Sequence, residues 1–487
     1  MTQARQWSGR LKWSLVYGLG AQLPVLVGFV VLARYIAPDS FGTMATAWLI
    51  AGVGQIFLLE TVGDALVRRA EVEPADRDTT FWASLALSVV LAALTAASAP
   101  AAARLFDDPV LLSVLPVLSV RLLFDGLTIV PDALLRRGYA VRALAVRSAS
   151  ANVLAAVAAV ALAVAGWGIW ALVAQQVVLG AVNAAVAWSA APFRPGLPRR
   201  RPLGDVLSYF ANASLYRSVD FSSANLDRFL VGKFRGMTDL GYYSVAQRIQ
   251  LLTVELVVGN VLRLVALPYF ATASRQRAEL KDAFLKSLRI LSVVAFPCAA
   301  GFAVLADSLV PFVFGSAWIP AVPVVQILLV EALVLMLAML HSALLRASGQ
   351  PQRWLFVQVA AFPLGALLMW AAVHHAIVLV ALAALVKGVL VFPLHWHLVR
   401  QACGFTVKEY AACLGAPAVA TAAMAAAVGA AHPWLETTGI GTAAALGSSV
   451  MVGVVVYAGL LLTVFRGSVD AILGRPLGRV RFSRTGA

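Results

Sequence analysis

Charged residues are scarce in this chain. Only 13% of its 487 residues are charged, while 61% are hydrophobic; a soluble domain carries about a quarter charged residues. The hydrophobic content is enough for about 14 transmembrane helices at about 20 residues each. This composition excludes a soluble enzyme, a secreted protein and a disordered chain, and it predicts an all-α integral membrane protein.

Features that would support other chemistry are also missing. Three cysteines, Cys298, Cys403 and Cys413, lie in apolar surroundings without the spacing of a metal site or a disulfide framework. The phosphate-binding sequence GxxxxGK[ST] does not occur, which removes ATP as a directly bound energy source. The loops are too short to hold an exposed cleft with paired carboxylates for glycosyl chemistry. The sequence therefore predicts no catalytic residues, no metal and no cofactor.

Basic residues are distributed unevenly between the loops. With the N-terminus in the cytoplasm, 29 of the 38 basic residues fall in cytoplasmic segments and only four on the opposite side. Each missed span would invert the side of everything after it, so this asymmetry supports the predicted helix count and places both termini in the cytoplasm. The formal net charge of +15 then reflects basic cytoplasmic loops, and we expect no nucleic-acid partner.

The two halves of the chain resemble each other. Residues 31–48 align with residues 230–247 at an offset of 199, which pairs Gly42 with Gly241. The same alignment pairs Arg34 with Lys233 and Ala47 with Ala246. A second match, of ALLRRG at 133–138 with ALLRAS at 343–348, follows in the same order at an offset of 210. The first predicted helix then corresponds to the seventh, an even displacement, so both halves share one orientation. A parallel repeat of this kind occurs in secondary transporters; chance similarity among Ala- and Leu-rich helices is the alternative.

Four segments carry a resemblance to a known family: LARYIAPDSFGTMATA, IVPDALLRRGYAVRALA, GWGIWALVAQQ and NLDRFLVGKFRGMTDLGYYSVAQRI. In these segments the chain resembles the polysaccharide-transport group of oligosaccharide flippases. This group belongs to the multidrug/oligosaccharidyl-lipid/polysaccharide exporter superfamily, which also contains multidrug and toxin extruders and the lipid II flippase. The resemblance implies an all-α membrane fold of about 14 helices. It also implies two six-helix lobes around a central cavity in a pseudo-two-fold parallel repeat, followed by two C-terminal helices.

A domain organisation follows from this resemblance and from the proline- and arginine-rich segment between the predicted sixth and seventh helices. We expect an N-terminal lobe at 1–191, a cytoplasmic basic linker at 192–205 and a C-terminal lobe at 206–400. Two extra helices and a basic cytoplasmic tail occupy 401–487.

The resemblance also implies a function and partners. It implies export of an undecaprenyl-diphosphate-linked oligosaccharide across the bacterial cytoplasmic (inner) membrane by alternating access, for exopolysaccharide, capsule or O-antigen synthesis. The expected partners are this lipid-linked substrate, membrane lipid, and the polymerase and other polysaccharide-assembly proteins.

Charged residues inside predicted helices are the candidates for a substrate path. A charge at the bilayer centre costs about 2.5–3.5 kcal/mol on insertion scales, so such residues should face a cavity or a partner. The predicted helix at 206–230 has polar residues on roughly one face, and the predicted helix at 240–263 has two more, two turns apart. With Arg34, they form the predicted cavity wall for a diphosphate and sugar hydroxyls: Arg217, Asp220, Asn225, Asp227, Arg228, Arg248 and Glu255.

Ion pairs that hold the lobe together are the alternative role for these residues. On the predicted helix at 111–133, Arg121 precedes Asp125 by four residues, and Asp132 precedes Arg136 by four, so structural pairing is the favoured interpretation there. Glu255 is the candidate for coupling to a proton, because it lies in the mainly apolar stretch LLTVELVVG on one face with Arg248. A permanent ion pair is the alternative for Glu255.

Three other functions remain open from the sequence. A multidrug or toxin extruder of the same superfamily would favour an acidic cavity for cationic substrates, and the basic residues argue against it. A membrane-embedded polysaccharide polymerase or ligase would be expected to carry a large external loop with Arg or His. A structural membrane scaffold would have no use for charged residues within its helices.

Overall fold

The computed structural model of this chain is helical, with no strand among the residues it describes. These residues are 23–59, 66, 73–197, 204–261, 266, 270 and 277–464. Within them, the side chains of 56–59, 204–220, 256, 260–261 and 351 are not described.

The described helices are numbered α1 to α14 in chain order. The first eight are α1 (Leu23–Tyr35), α2 (Pro38–Leu59), α3 (Pro74–Ala97), α4 (Ala99–Phe106), α5 (Leu111–Arg137), α6 (Val141–Val164), α7 (Ile169–Ala190) and α8 (Gly204–Val261). The others are α9 (Arg277–Phe314), α10 (Val322–Ala347), α11 (Pro351–Val373), α12 (Ile377–Cys403), α13 (Val407–Thr437) and α14 (Thr442–Thr463). A 3-10 helix at Ser316–Ala321 precedes α10.

Helix α8 is interrupted at Gly236, where φ is 84° and ψ is 179°. A positive φ of this size favours glycine, which has no Cβ to clash with the backbone. The sequence predicts two helices here, separated by a loop at 231–239, but the chain stays helical up to Gly236 on both sides. Arg235 and Asp239 form an ion pair across the interruption, with 2.9 Å between Nε and Oδ2. We call residues 204–235 α8a and residues 237–261 α8b.

Ten of the described helices are long and apolar enough to cross a membrane. The other predicted spans correspond to α1, whose predicted first residues lie outside the described part, to α2, and to the two segments of α8. Large apolar side chains also lie on the outside of the bundle, as membrane lipid permits: Leu94 on α3 is 61% exposed and Leu367 on α11 is 67% exposed. The structure thus confirms the predicted all-α, multi-pass membrane fold.

The helices form two compact units, Met1–Ser244 and Val245–Ala487. In the first unit, α5 packs against α2, α3 and α7, and α6 packs against α7. Leu111, Leu115 and Leu118 of α5 are almost completely buried. The lobe boundaries at 191 and 206 remain predictions.

In the second unit, α9 packs against α10, α13 and α14, while α12 packs against α10 and α11. The rings of Phe284, Phe405 and Tyr410 stack in its core, with 5.5 Å between the first two centroids and 5.3 Å between the last two. Cys403 and Cys413 are free thiols buried in the same core. Both cysteines therefore act as packing residues of this core.

Candidate functional site

Three of the predicted cavity residues on α8a bond to one another or to their own helix. The Asn225 side-chain amide donates to the Phe221 carbonyl oxygen at 2.9 Å, and Arg228 Nη1 donates to Asn225 Oδ1 at 3.2 Å. Asp227 is only 6% exposed, and its Oδ1 accepts the backbone N–H of Arg228 at 2.8 Å. The Arg217 and Asp220 positions also lie on α8a, but their side chains lie outside the described part of the chain.

Asp227 also connects the two segments of α8. The hydroxyl of Tyr243, which is fully buried on α8b, donates to Asp227 Oδ2 at 2.9 Å. This bond spans the interruption at Gly236 and joins α8a to the first turns of α8b. Because its carboxylate oxygens bond a hydroxyl and a backbone N–H, the structure favours a positioning role for Asp227.

The other predicted residues occupy exposed positions. Arg34 lies at the end of α1, and Arg248 and Glu255 lie on α8b. Arg248 and Glu255 are seven residues apart and therefore share one face of the helix. The opposite face is held by Gln250, whose side chain is 5% exposed and donates to the Leu328 carbonyl oxygen at 2.8 Å and to the Glu331 carboxylate. Helix α8b thus has one face fixed against α10 and another that presents a guanidinium and a carboxylate.

A second polar network lies in the first unit, centred on α5. Arg121 Nε and Asp125 Oδ1 are 3.1 Å apart, as the i, i+4 spacing predicts. Gln55 of α2 donates to Asp125 Oδ2 at 2.9 Å, and Arg121 Nη1 donates to the side-chain oxygen of Gln176 on α7 at 3.1 Å. Three helices are therefore joined through one nearly buried ion pair, which confirms the structural interpretation of these charges.

The other predicted pair on α5 also forms. Arg136 Nε lies 2.7 Å from Asp132 Oδ2, and the guanidinium of Arg147 on α6 contacts the same carboxylate. Arg136 is 54% exposed along its side chain, whereas Arg121 is 13% exposed. The two pairs therefore share spacing and helix but differ in their access to solvent.

This difference leads to a stability prediction. Asp125→Ala leaves the Arg121 guanidinium and the Gln55 amide without their acceptor, and removing one partner of a buried pair costs about 3–5 kcal/mol. Arg136→Ala is the matched control, since an exposed pair contributes about 1 kcal/mol or less. Thermal unfolding in detergent should show a large fall in Tm for Asp125→Ala and a small one for Arg136→Ala. Equal falls would contradict the structural role of the Arg121–Asp125 pair.

A polar cleft opens in the first unit between the start of α2, the end of α4 and the region of the α8 interruption. Its volume is about 470 Å³, and Asp39, Asp107, Asp108, Lys233 and Met237 are among its lining residues. Asp108 accepts the Thr43 hydroxyl at 2.5 Å and the Val110 backbone N–H at 3.0 Å. Lys233 Nζ donates to the Leu105 carbonyl oxygen at 2.6 Å. Hydrogen bonds within the unit therefore hold Asp108 and Lys233 in the wall of this cleft.

Several polar residues of these networks were not predicted from the sequence. Gln55, Gln176 and Gln250 are uncharged, so a search for charged residues within helices does not identify them. The signal was present, because a glutamine inside an apolar helix needs a hydrogen-bond partner on a neighbouring helix. Among the described residues, no group of three or more His, Cys, Asp or Glu side chains lies close enough to hold a metal ion.

Comparison with solved structures places this geometry in a known fold. The chain superimposes on the lipid II flippase MurJ in an inward closed conformation with a TM-score of 0.78, at 13% identity, over 94% of this chain and 100% of MurJ. It also matches an inward-facing multidrug resistance MATE family transporter of the MOP superfamily with a TM-score of 0.62, at 16% identity, over 78% of this chain and 96% of the transporter.

Curated relatives share sequence as well. The chain is 24% identical to the teichuronic acid biosynthesis protein TuaB of Bacillus subtilis (strain 168), over 70% of this chain and 71% of TuaB. It is 27% identical to the succinoglycan biosynthesis transport protein ExoT of Rhizobium meliloti (strain 1021), over 65% of this chain and 64% of ExoT. The lipopolysaccharide biosynthesis protein WzxC of Escherichia coli (strain K12) is 23% identical, over 66% of each chain.

A family model described as polysaccharide biosynthesis protein matches residues 31–323, more than half of the chain. This match includes α2 to α9 and the four segments that resemble the polysaccharide-transport group. The relatives and the fold agree with that resemblance. The chain therefore belongs to the polysaccharide biosynthesis protein family and has the membrane fold shared by MurJ and the MATE transporters.

Proposed function

We propose that this protein is a flippase that moves undecaprenyl-diphosphate-linked oligosaccharide units across the bacterial inner membrane for exopolysaccharide, capsule or O-antigen synthesis. The observation that carries the proposal is membership of a polysaccharide biosynthesis family by a chain built of membrane helices in the MurJ fold. Transport proceeds by alternating access, and the function is transport rather than catalysis, in line with the name of ExoT.

The physical requirement for such a protein is clear. A diphosphate and several sugars cannot cross hydrocarbon unaided, because removing even one such ion from water costs several kcal/mol or more. A guanidinium about 4 Å from one phosphate charge returns about 4 kcal/mol at an effective dielectric constant near 20. The prenyl chain can remain in lipid while the polar head moves along a polar path.

We assign the diphosphate-binding role chiefly to Arg217 and Arg248. The exposed position of Arg248 on α8b supports this role, and Arg34 is a further exposed guanidinium. Arg228 and Asn225 would contact sugar hydroxyls from α8a, near Asp220. Asp227 would act through its bonds to Tyr243 and to the Arg228 backbone, by holding α8a and α8b in position.

A drug extruder is the competing function, since the MATE transporters share this fold. The basic character of Arg34 and Arg248 favours an anionic substrate, whereas cationic drugs would be repelled by the same residues. A polymerase and other polysaccharide-assembly proteins are the partners that would consume the exported unit on the outer face.

The proposed orientation places both termini in the cytoplasm of a bacterial cell, with the protein in the inner membrane. Reporter fusions placed after Arg201 and after Arg466 test this orientation directly. Both fusions should report a cytoplasmic location, because the flanking segments are rich in arginine. A periplasmic signal from either fusion would contradict the predicted number of spans.

Depletion of the protein in its source bacterium tests the function in cells. Cells without it should stop exporting polysaccharide and accumulate lipid-linked oligosaccharide in the cytoplasmic leaflet, while drug sensitivity stays unchanged. Normal export together with increased drug sensitivity would instead support an extruder.

A further inference from the structure

A reciprocal backbone contact joins α2 to the start of α8b within the first unit. A Cβ added to Gly42 would lie 1.8 Å from the Met237 carbonyl oxygen, and a Cβ added to Gly241 would lie 1.8 Å from the Pro38 carbonyl oxygen. Carbon and carbonyl oxygen atoms in helix contacts approach to about 3.3 Å. Glycine is therefore the only residue that fits at either position while the helices cross at this spacing.

The contact has the symmetry of the sequence repeat. The offset of 199 that pairs Gly42 with Gly241 also pairs Pro38 with Met237. Gly42 contacts Met237, and Gly241 contacts Pro38, which is the residue equivalent to Met237 in the repeat. A two-fold axis between two equivalent helices produces this reciprocity.

The crossing has a buried polar neighbour and lies beside the polar cleft. Thr46, one turn after Gly42, is 2% exposed, and its hydroxyl lies 3.5 Å from Met237 Sδ. The polar cleft described above, lined in part by Asp39 and Met237, opens beside the crossing. In the predicted topology this end of both helices faces away from the cytoplasm, on the side that holds only four of the 38 basic residues.

We propose that the Gly42–Gly241 crossing is the outer gate of the transport path, closed in this structure. The proposal rests on the alternating-access part of the proposed function, in which one repeat rocks against the other. Opening toward the outside requires the two equivalent helices to separate where they touch. A contact made of backbone atoms and two glycines can part and re-form without any side chain changing its rotamer, and small residues at such helix crossings permit close approach.

Alanine substitution at either glycine tests the gate, because one methyl group prevents closure. The reporter is Thr46→Cys in a variant that lacks Cys298, Cys403 and Cys413, labelled with a membrane-impermeant maleimide added outside intact cells. Gly42→Ala and Gly241→Ala should each raise the labelling rate about tenfold or more, since overpacking biases a two-state equilibrium toward the open state. The matched control is Gly54→Ala on the same helix, where the nearest atom is a Leu122 methyl group at 3.2 Å that can move aside. This control should label like its parent.

A second reporter separates gating from unfolding. Ser84→Cys replaces a fully buried serine that bonds to the Phe81 carbonyl oxygen on α3, and it should stay unlabelled in every variant. An unchanged rate at Thr46→Cys, or an equal rise at both reporters, would overturn the gate. The readout needs no substrate, so it is separate from the export test: labelling that rises as expected in a protein that exports no lipid-linked oligosaccharide would refute the substrate and leave the gate standing.

Discussion

Arg217→Ala and Arg248→Ala should each abolish polysaccharide export while the protein still inserts and accumulates in the membrane. Each substitution removes about 4 kcal/mol of attraction for a phosphate group, which corresponds to a loss of substrate occupancy of about a thousandfold. The measurement is exported polysaccharide per unit of membrane-inserted protein in cells that depend on the variant. Arg248→Lys keeps the positive charge and should retain part of the activity.

Arg235→Ala is the matched control for these variants. It removes one guanidinium from the same helix, α8, but its partner is Asp239, four residues along the chain, in a partly exposed pair. Export by Arg235→Ala should therefore stay close to that of the wild type. Near-normal export by both Arg217→Ala and Arg248→Ala would leave the assigned phosphate-binding role without support.

Glu255→Gln should make transport insensitive to an imposed pH gradient while substrate binding persists. Protonation of Glu255 would release Arg248 to bind phosphate, and deprotonation would recapture it, so the proton and the substrate are linked through one guanidinium. Arg248 and Glu255 are both exposed on one face of α8b, two turns apart. The measurement is transport in vesicles with and without a pH gradient.

Glu331→Gln provides the control for this experiment, because Glu331 lies in the same unit and accepts a hydrogen bond from Gln250. That variant should remain as sensitive to the gradient as the wild type. The same sensitivity in Glu255→Gln would show that Glu255 forms a permanent structural pair and that coupling takes place elsewhere.

The membrane helices and the ion pairs within one helix could be predicted from local sequence. The contacts between helices could not, because they depend on how each helix is rotated about its axis. Hydrophobic runs predict membrane helices directly, and the i, i+4 spacing predicts the Arg121–Asp125 and Asp132–Arg136 pairs. The partners from other helices, Gln55 and Gln176, depend on how α2 and α7 turn about their axes. Sequence spacing within one helix contains no information on that rotation.

The interruption at Gly236 is another feature that local sequence does not determine. The run of polar residues and glycines predicts a loop at 231–239, because such residues favour turns. In the structure a single glycine with a positive φ accommodates the whole change of direction, and the Arg235–Asp239 pair and the Asp227–Tyr243 hydrogen bond span it. The Asp227–Tyr243 bond joins residues that are 16 positions apart, and it depends on the backbone conformation at Gly236, which local propensity does not determine.

The predicted site residues differ in their hydrogen bonding and exposure, which the sequence does not indicate. Asn225, Asp227 and Arg228 bond within α8, whereas Arg34, Arg248 and Glu255 lie exposed. The repeat alignment paired Gly42 with Gly241, but only the structure shows that they touch reciprocally. An alignment identifies equivalent positions and says nothing about their distance.

Movement of the lipid-linked substrate by the purified protein tests the proposed flippase function most directly. Vesicles would contain lipid-linked oligosaccharides extracted from the source bacterium after depletion of the protein, with the sugars labelled. A membrane-impermeant enzyme that attacks sugars only on the outer leaflet reports how fast inner-leaflet material appears outside. We expect rapid appearance with the wild-type protein and the protein-free rate with the Arg217→Ala, Arg248→Ala double variant. A wild-type rate equal to that of protein-free vesicles would contradict the proposed flippase function.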